Sequence, residues 1–176
     1  VRSLVGSEMC IRDRIKSFNL DQVKKQRPFR KGLAVMPAKF GISFNKPSFN
    51  QAGALIHIYS DGSIRLNHGG TEMGQGLFVK VAQVVAECFK VSLDQIHITS
   101  TNTAEVPNTS ATAASSGSDL NGMAAWNAAF TIKKRMIDHA SQLFKKPKSE
   151  IIFEQGRILA GNKSLSFTEL AFSCWE

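Results

Sequence analysis

Residues 54–59 are apolar apart from His57, residues 60–63 read Ser-Asp-Gly-Ser, and Ile64, Arg65, Leu66 and Asn67 alternate apolar with polar. An Asp-Gly turn between two strand-like runs is the strongest short-range hairpin signal, so this stretch predicts an antiparallel pair. After the glycines of residues 69–76 the period changes. Leu77, Val81, Val84, Val85 and Cys88 recur on one stripe of a helix, so a glycine-rich loop joins a strand end to a helix start. Residues 96–99 alternate again as a short strand, and residues 101–110 form an irregular polar loop carrying Pro107.

Several N-cap candidates in residues 115–119 precede a long Ala-rich segment, residues 120–143, with Trp126, Phe130 and Ile137 on helical spacing. Its first half has almost no charge, which predicts a helix buried on most sides. Ala124, Ala125, Ala128 and Ala129 would then let a neighbour pack close. The tail predicts two short strands, residues 151–153 and 158–160, joined through Gln155-Gly156, and a last helix opening at Ser166 or Thr168. Near the start, residues 32–43 are rich in Leu, Val, Met and Phe, and Pro37 makes them an edge or bulged strand. Residues 14–31 predict a short basic surface helix as a lead-in. Residues 1–13 resemble a translated sequencing adapter and read as a non-native leader. The expected fold class is mixed α/β (α+β): antiparallel strands and hairpins with two or three packed helices. Residues 32–176 are expected to form part of a larger domain, truncated at both ends.

Composition narrows the function classes. With 43% hydrophobic and 20% charged residues the chain is globular. No window reaches the run of about 18 apolar residues that a membrane helix needs, so the expectation is a soluble, cytoplasmic protein without a membrane partner. Cys10, Cys88 and Cys174 are widely spaced and form no C-x-x-C pair, which points to reduced thiols and away from a zinc site. The net charge of +8 falls mainly in residues 24–31 and 133–148, where single aromatic residues, Phe29 and Phe144, make no interleaved stacking array, so solvated faces or an acidic partner surface explain it better than nucleic acid does.

Two side-chain-poor segments carry the candidate chemistry: residues 68–76 (HGGTEMGQG) and residues 107–119 (PNTSATAASSGSD). Each lies before a helix, where free N–H groups favour phosphate and missing side chains let a ligand reach the backbone. The pattern fits a bulky, phosphate-bearing cofactor laid across two helix N-termini. Gln75, between Gly74 and Gly76, offers an amide that both donates and accepts. The plain alternative is a pair of tight turns, and neither a Walker lysine nor G-x-G-x-x-G spacing is present. Glu72 would sit near a helix N-terminus, which favours its ionised form and makes it a cap rather than a base. His68 has no partner at metal-ligand spacing and reads as a hydrogen-bonded turn histidine; His57 reads as structural. Phe40, Phe44 and Phe49 cluster irregularly, open to stacking on a planar substrate or to ordinary core packing.

At these residues the chain resembles the xanthine dehydrogenase and aldehyde oxidase family of molybdenum hydroxylases. The resemblance runs from about Lys31 to Ala125 and is carried by residues 39–44 (KFGISF), 50–55 (NQAGAL), 68–76 and 106–122, in the family's order and spacing. The KFGISF piece is closer to the xanthine dehydrogenase branch. The resemblance implies a molybdopterin cofactor, in its plain or its dinucleotide form, whose dithiolene sulfurs hold the metal. It also implies [2Fe-2S] and FAD groups on other domains or subunits, an oligomeric enzyme and a purine or related heterocyclic substrate.

By the same resemblance Gln75 would hydrogen-bond the pterin, with Met73, Gly74 and Gly76 forming the turn around it. Thr112, Ala114 and Ser115 would hold the cofactor. Ala113 and Ala114 would wall the pocket, Ala114 beside the molybdenum without ligating it, while Phe44 and Asn45 would contact substrate; Asn45 departs from a threonine in some relatives. The resemblance places no catalytic residue in this stretch, the family's base glutamate lying beyond the C-terminus. Two competing readings are an aldehyde or other N-heterocycle oxidase of the same family and a non-catalytic basic binding module.

Overall fold

The computed structural model describes residues 2–34, 41–105 and 109–175, with side chains from residue 11 onward. The chain divides into two units, Val1–Phe40 and Gly41–Glu176. In the first, helix α1 spans Arg2–Lys24, so the lead-in helix expected within residues 14–31 is the end of a longer one. Beyond it, Asn19 clamps the main chain at Lys31 through two hydrogen bonds of 2.8 Å.

The second unit begins with the predicted hairpin. Strand β1 (Ala54–Ile58) pairs antiparallel with β2 (Ile64–His68), Ile56 opposite Leu66. Asp61 holds the turn by accepting from the main-chain N–H and the hydroxyl of Ser63, and Gly62 takes φ +80° there. Those bonds hold the Asp61 carboxyl below its usual range. Strand β3 (Ile96–Ile98) lies on the other side of β2 and runs parallel to it. A parallel neighbour requires a crossover, which helix α2 (Leu77–Phe89) supplies.

Helix α2 buries Leu77, Val81, Val85 and Cys88 of the stripe its spacing predicted, leaves Val84 half-buried, and buries Phe89 in addition. Against it packs α3 (Gly117–Phe144), where Ala125 and Ala129 are fully buried and Gly122 leaves room for Val84. Small residues bring the two backbones close, and the sheet's Ile64 and Leu66, both 0% exposed, fill the space beneath. Burial of such a side chain stabilises by roughly 1.5–3 kcal/mol. Lys133 of α3 ties the pair by donating to the Cys88 carbonyl at 2.6 Å, a cation at the negative end of α2.

Two sequence expectations are corrected, the burial of α3 and the strand count of the tail, and a third falls largely outside the described residues. Trp126 and Phe130 are 37% and 41% exposed and stack on each other along the outer face of α3, so this helix is buried on one side only. The strand expected over residues 32–43 is irregular where described, at residues 32–34 and 41–43; Pro37, Lys39 and Phe40 lie outside the described residues. The tail carries a further strand. Strands β4 (Ile152–Glu154), β5 (Arg157–Ala160) and β6 (Lys163–Ser166) make an antiparallel sheet, and α4 (Phe167–Ser173) follows with a capping box between Ser166 and Glu169. Phe167 packs on Phe89 with ring centroids 5.6 Å apart, anchoring this sheet to the end of α2.

Candidate functional site

The loops of residues 69–76 and 109–116 meet because β2 and β3 are neighbours and α2 and α3 are packed. Their junction is a direct bond: the Thr71 N–H donates to the Thr112 hydroxyl at 2.8 Å. Gly70 is pressed into the seam, where an added Cβ would lie 2.6 Å from Leu77 Cδ2 and 2.8 Å from Asn121 Nδ2. Thr101 closes the other side by donating to the Gly70 carbonyl at 2.8 Å.

Between the loops lies a cavity of about 410 Å³ lined by Met73, Gln75, Leu77 and Lys80 on one side and Thr112, Ala113, Ser115, Gly117 and Ser118 on the other. Five of the residues carried over from the resemblance (Met73, Gln75, Thr112, Ala113 and Ser115) therefore share one space. Gly74 and Gly76 shape it from the backbone, with φ +96° and +74°. Ala114 is not among the lining residues; its carbonyl accepts from the Ser43 N–H at 2.8 Å, tying the loop to the segment before Phe44. Phe44 and Asn45 are also absent from the lining. Phe44 is gripped by Asn50 through two hydrogen bonds of 2.8 Å and packs edge-on against Phe49 at 6.3 Å, while Asn45 is exposed. Pro107 and Asn108 lie outside the described residues.

The Gln75 amide is held at both ends. Its Nε2 donates to the Thr71 carbonyl at 2.9 Å and its Oε1 accepts from the Met73 N–H at 2.6 Å. One N–H and one lone pair remain for a ligand.

Glu72 lies beside it with a different task. Its carboxylate accepts from the N–H groups of Gly74 at 2.8 Å, Gly76 at 2.9 Å and Phe78 at 3.1 Å. Those bonds, the one from Phe78 foremost, hold its carboxyl below the usual range. It is a cap, as its position predicted. A consequence runs against the reading of two open helix ends: the α2 N–H donors already hold an anion.

At the start of α3 no side chain caps the first turn, and Asp119 is the acidic residue there. Ser116 turns its hydroxyl back to the Ala113 carbonyl at 3.0 Å. The two residues before it, Ala114 and Ser115, both have φ +54°, and Ser43 beside them has φ +72°. Left-handed conformations cost non-glycine residues of order 1–3 kcal/mol each, and such strain concentrates at ligand-holding sites. Lys90 and Lys145 share this conformation at helix C-caps, where it is ordinary. Ser43, Ala114 and Ser115 have no such explanation.

His68 is a turn histidine, as expected. Its Nδ1 accepts from the Gly70 N–H at 3.1 Å, and its ring meets Phe78 edge-on at 5.2 Å. Burial holds its pKa below the usual value. Sequence reasoning missed Lys80 and Leu77 as lining residues, and it singled out the segment holding Gly117 and Ser118 without giving those two a role. Lys80 was within reach of it, being a cation one helical turn after Gly76.

The cavity's lining offers an amide, hydroxyls, an ammonium and thioether and methyl surface, with no carboxylate among the described residues. Such a donor set fits a polar heterocycle carrying a phosphate. The family model described as the molybdopterin cofactor-binding domain matches residues 11–176. Xanthine dehydrogenase/oxidase of Rattus norvegicus is 47% identical over 146 residues, 82% of this chain and 10% of the relative. Xanthine dehydrogenase of Blastobotrys adeninivorans is 51% identical over 76% of this chain and 9% of the relative. Aldehyde oxidase 2 of Cavia porcellus is 50% identical over 66% and 9%. The chain thus spans about a tenth of the length of these relatives. Among solved structures, CO dehydrogenase from Oligotropha carboxidovorans superposes with a TM-score of 0.65 at 25% identity, covering 70% of this chain and 16% of that one. On these findings the chain belongs to the molybdopterin cofactor-binding family of the xanthine dehydrogenase-like molybdenum hydroxylases.

Proposed function

We propose that residues 69–76 and 109–118 form one wall of the molybdopterin site of a purine hydroxylase, and that this chain's part in the reaction is to bind and orient. The observation that carries the reading is the 410 Å³ cavity, which joins Met73 and Gln75 to Thr112, Ala113 and Ser115. When bound, the pterin holds molybdenum through its sulfurs and supplies two-electron chemistry. The chain's own residues do the rest. The free N–H of Gln75 fixes the ligand's orientation because the other amide groups are immobilised by Thr71 and Met73. The Thr112 hydroxyl, accepting from Thr71, keeps its own proton to donate. Ala113 presents only a methyl group, which leaves room for a planar molecule.

The purine assignment is supported by the xanthine dehydrogenase-like KFGISF piece, with Phe44 and Asn45 assigned to substrate and Ala114 to the pocket wall. The [2Fe-2S] and FAD groups and the oligomeric state belong to the same proposal. The test uses the full-length protein. Gln75→Ala is expected to lower cofactor affinity by roughly fivefold to tenfold, the effect of one lost hydrogen bond. Hypoxanthine is expected to be turned over faster than benzaldehyde. An intact protein purified without molybdenum or pterin would refute the cofactor reading; preference for benzaldehyde would refute only the purine assignment.

A further inference from the structure

The α2 N-terminus, which its glycine-rich loop marks as an anion site, is already neutralised. Glu72 takes the N–H groups of Gly74, Gly76 and Phe78, so a second anion placed there would face a carboxylate that already occupies these donors. A phosphate in the cavity must be met elsewhere, and Lys80 is the one charged residue among the described residues that line it. Lys80 is held on the first turn of α2 by its N–H bond to the Gly76 carbonyl at 3.1 Å, which places it on the turn that follows the Gln75 loop. Among the described residues no carboxylate lies within ion-pair distance of its ammonium; the lysines that do pair are Lys25, Lys90, Lys146 and Lys148. Across the cavity stand the hydroxyl-bearing Ser115 and Ser118 and the uncapped start of α3.

Resting on the cofactor reading above, we infer that Lys80 binds the phosphate of the pterin cofactor, against the α3 side of the cavity. An ammonium is suited to this as a compact point charge with three donors, able to meet a phosphate without fixed bidentate geometry. The small side chains of Gly117 and Ser118 leave the approach open. The division of labour is then complete: Gln75 orients the heterocycle, Glu72 stiffens the turn that carries Gln75, and Lys80 supplies the countercharge that the loop itself cannot.

The test uses the full-length protein, stripped of cofactor and reconstituted with the isolated pterin cofactor, reading pterin by fluorescence of its oxidised product and molybdenum by elemental analysis. Lys80→Met is expected to raise the cofactor concentration for half-saturation by roughly 10- to 100-fold, the loss of a charge-assisted hydrogen bond. Lys80→Arg should recover most of the affinity. Lys134→Met, which removes an exposed lysine lying over the Phe130 ring, should bind as wild type. Inorganic phosphate should compete with the cofactor on the wild type and not on Lys80→Met. Lys80→Gln stands in should Lys80→Met fail to fold. Equal affinity and equal phosphate competition in wild type and Lys80 variants would overturn the inference while leaving the cofactor reading intact. A wild type that takes up no cofactor would overturn both.

Discussion

Helices α2 and α3 open beside the same cavity, yet their N-termini are finished in opposite ways. At α2 the chain provides its own anion: Glu72 collects three main-chain N–H groups, and the loop's left-handed positions, Gly74 and Gly76, belong to the residue type that adopts them freely. At α3 no side chain caps the first turn, and the left-handed positions before it are Ala114 and Ser115, which resist that conformation. One end is satisfied and relaxed; the other is unsatisfied and strained. A self-capped end can serve as a platform, and here it presents Gln75. An uncapped end held in place against its own preference is the one with donors to give.

The sharpest way to break this contrast is through the glycines. Gly70 on the α2 side has no room for a methyl group against Leu77 and Asn121, whereas a Cβ on Gly117 at the start of α3 would meet Thr112 Cγ2 at an ordinary 3.4 Å. Gly70→Ala is therefore expected to destabilise by about 1–3 kcal/mol, the cost of overpacking a closed seam. Gly117→Ala should leave stability within about 0.5 kcal/mol. Thermal midpoints of the full-length protein compare the two. Equal midpoints would mean the loops are not pressed together at Gly70.

Much of this was legible along the chain, and the exceptions share a cause. The hairpin at Asp61-Gly62, the α2 stripe and the Gln155-Gly156 turn are local patterns, and the structure has them. The parallel pairing of β2 with β3 depends on residues some thirty positions apart, which no local period encodes. Strand β6 was missed because Lys163, Ser164 and Ser166 give it a polar surface composition, and its pairing with β5 decides it. Trp126 and Phe130 read as buried because apolar residues surround α3, yet only the face bearing Ala125 and Ala129 meets α2. At the site, the glycines and Gln75 stood out by type. The bond from Thr71 to Thr112, which makes two loops one cavity, and the left-handed backbone at Ala114 and Ser115 are tertiary facts at residues whose types announce neither.

A smaller effect is expected from removing the cap. Glu72→Gln keeps the shape of the side chain but loses its charge and one oxygen acceptor, so the turn carrying Gln75 loosens and the thermal midpoint falls. Because hydrogen bonding depresses the native carboxyl below its ordinary value of 4.5, the folded state binds that proton less readily than the unfolded chain. The stabilisation is thus fully present above pH 4.5 and is lost as the pH drops through the native value. The midpoint gap between wild type and Glu72→Gln should be constant near neutrality and close on acidification. Ser116→Ala, the matching change at α3, should open no such gap, since the Ser116 side chain makes no cap bond. A pH-independent gap at Glu72 would show that the residue acts by packing and not by its charge.

The smallest change in stability, and the most discriminating for function, belongs to Ala114. Replacing it with glycine removes a left-handed penalty of about 1–2 kcal/mol and adds roughly 0.5–1 kcal/mol of backbone entropy cost. The thermal midpoint should therefore stay level or rise slightly. If the strain serves only the fold, cofactor content should follow stability and also stay level. If it holds the uncapped end of α3 in the geometry a ligand needs, Ala114→Gly should lose cofactor while losing no stability, because the residue that resisted relaxation is gone. Measuring molybdenum and pterin per protein beside the thermal midpoint separates the two, and a parallel fall in both would mean that the chain freedom added by glycine at this position, rather than relief of the left-handed strain, decides the outcome.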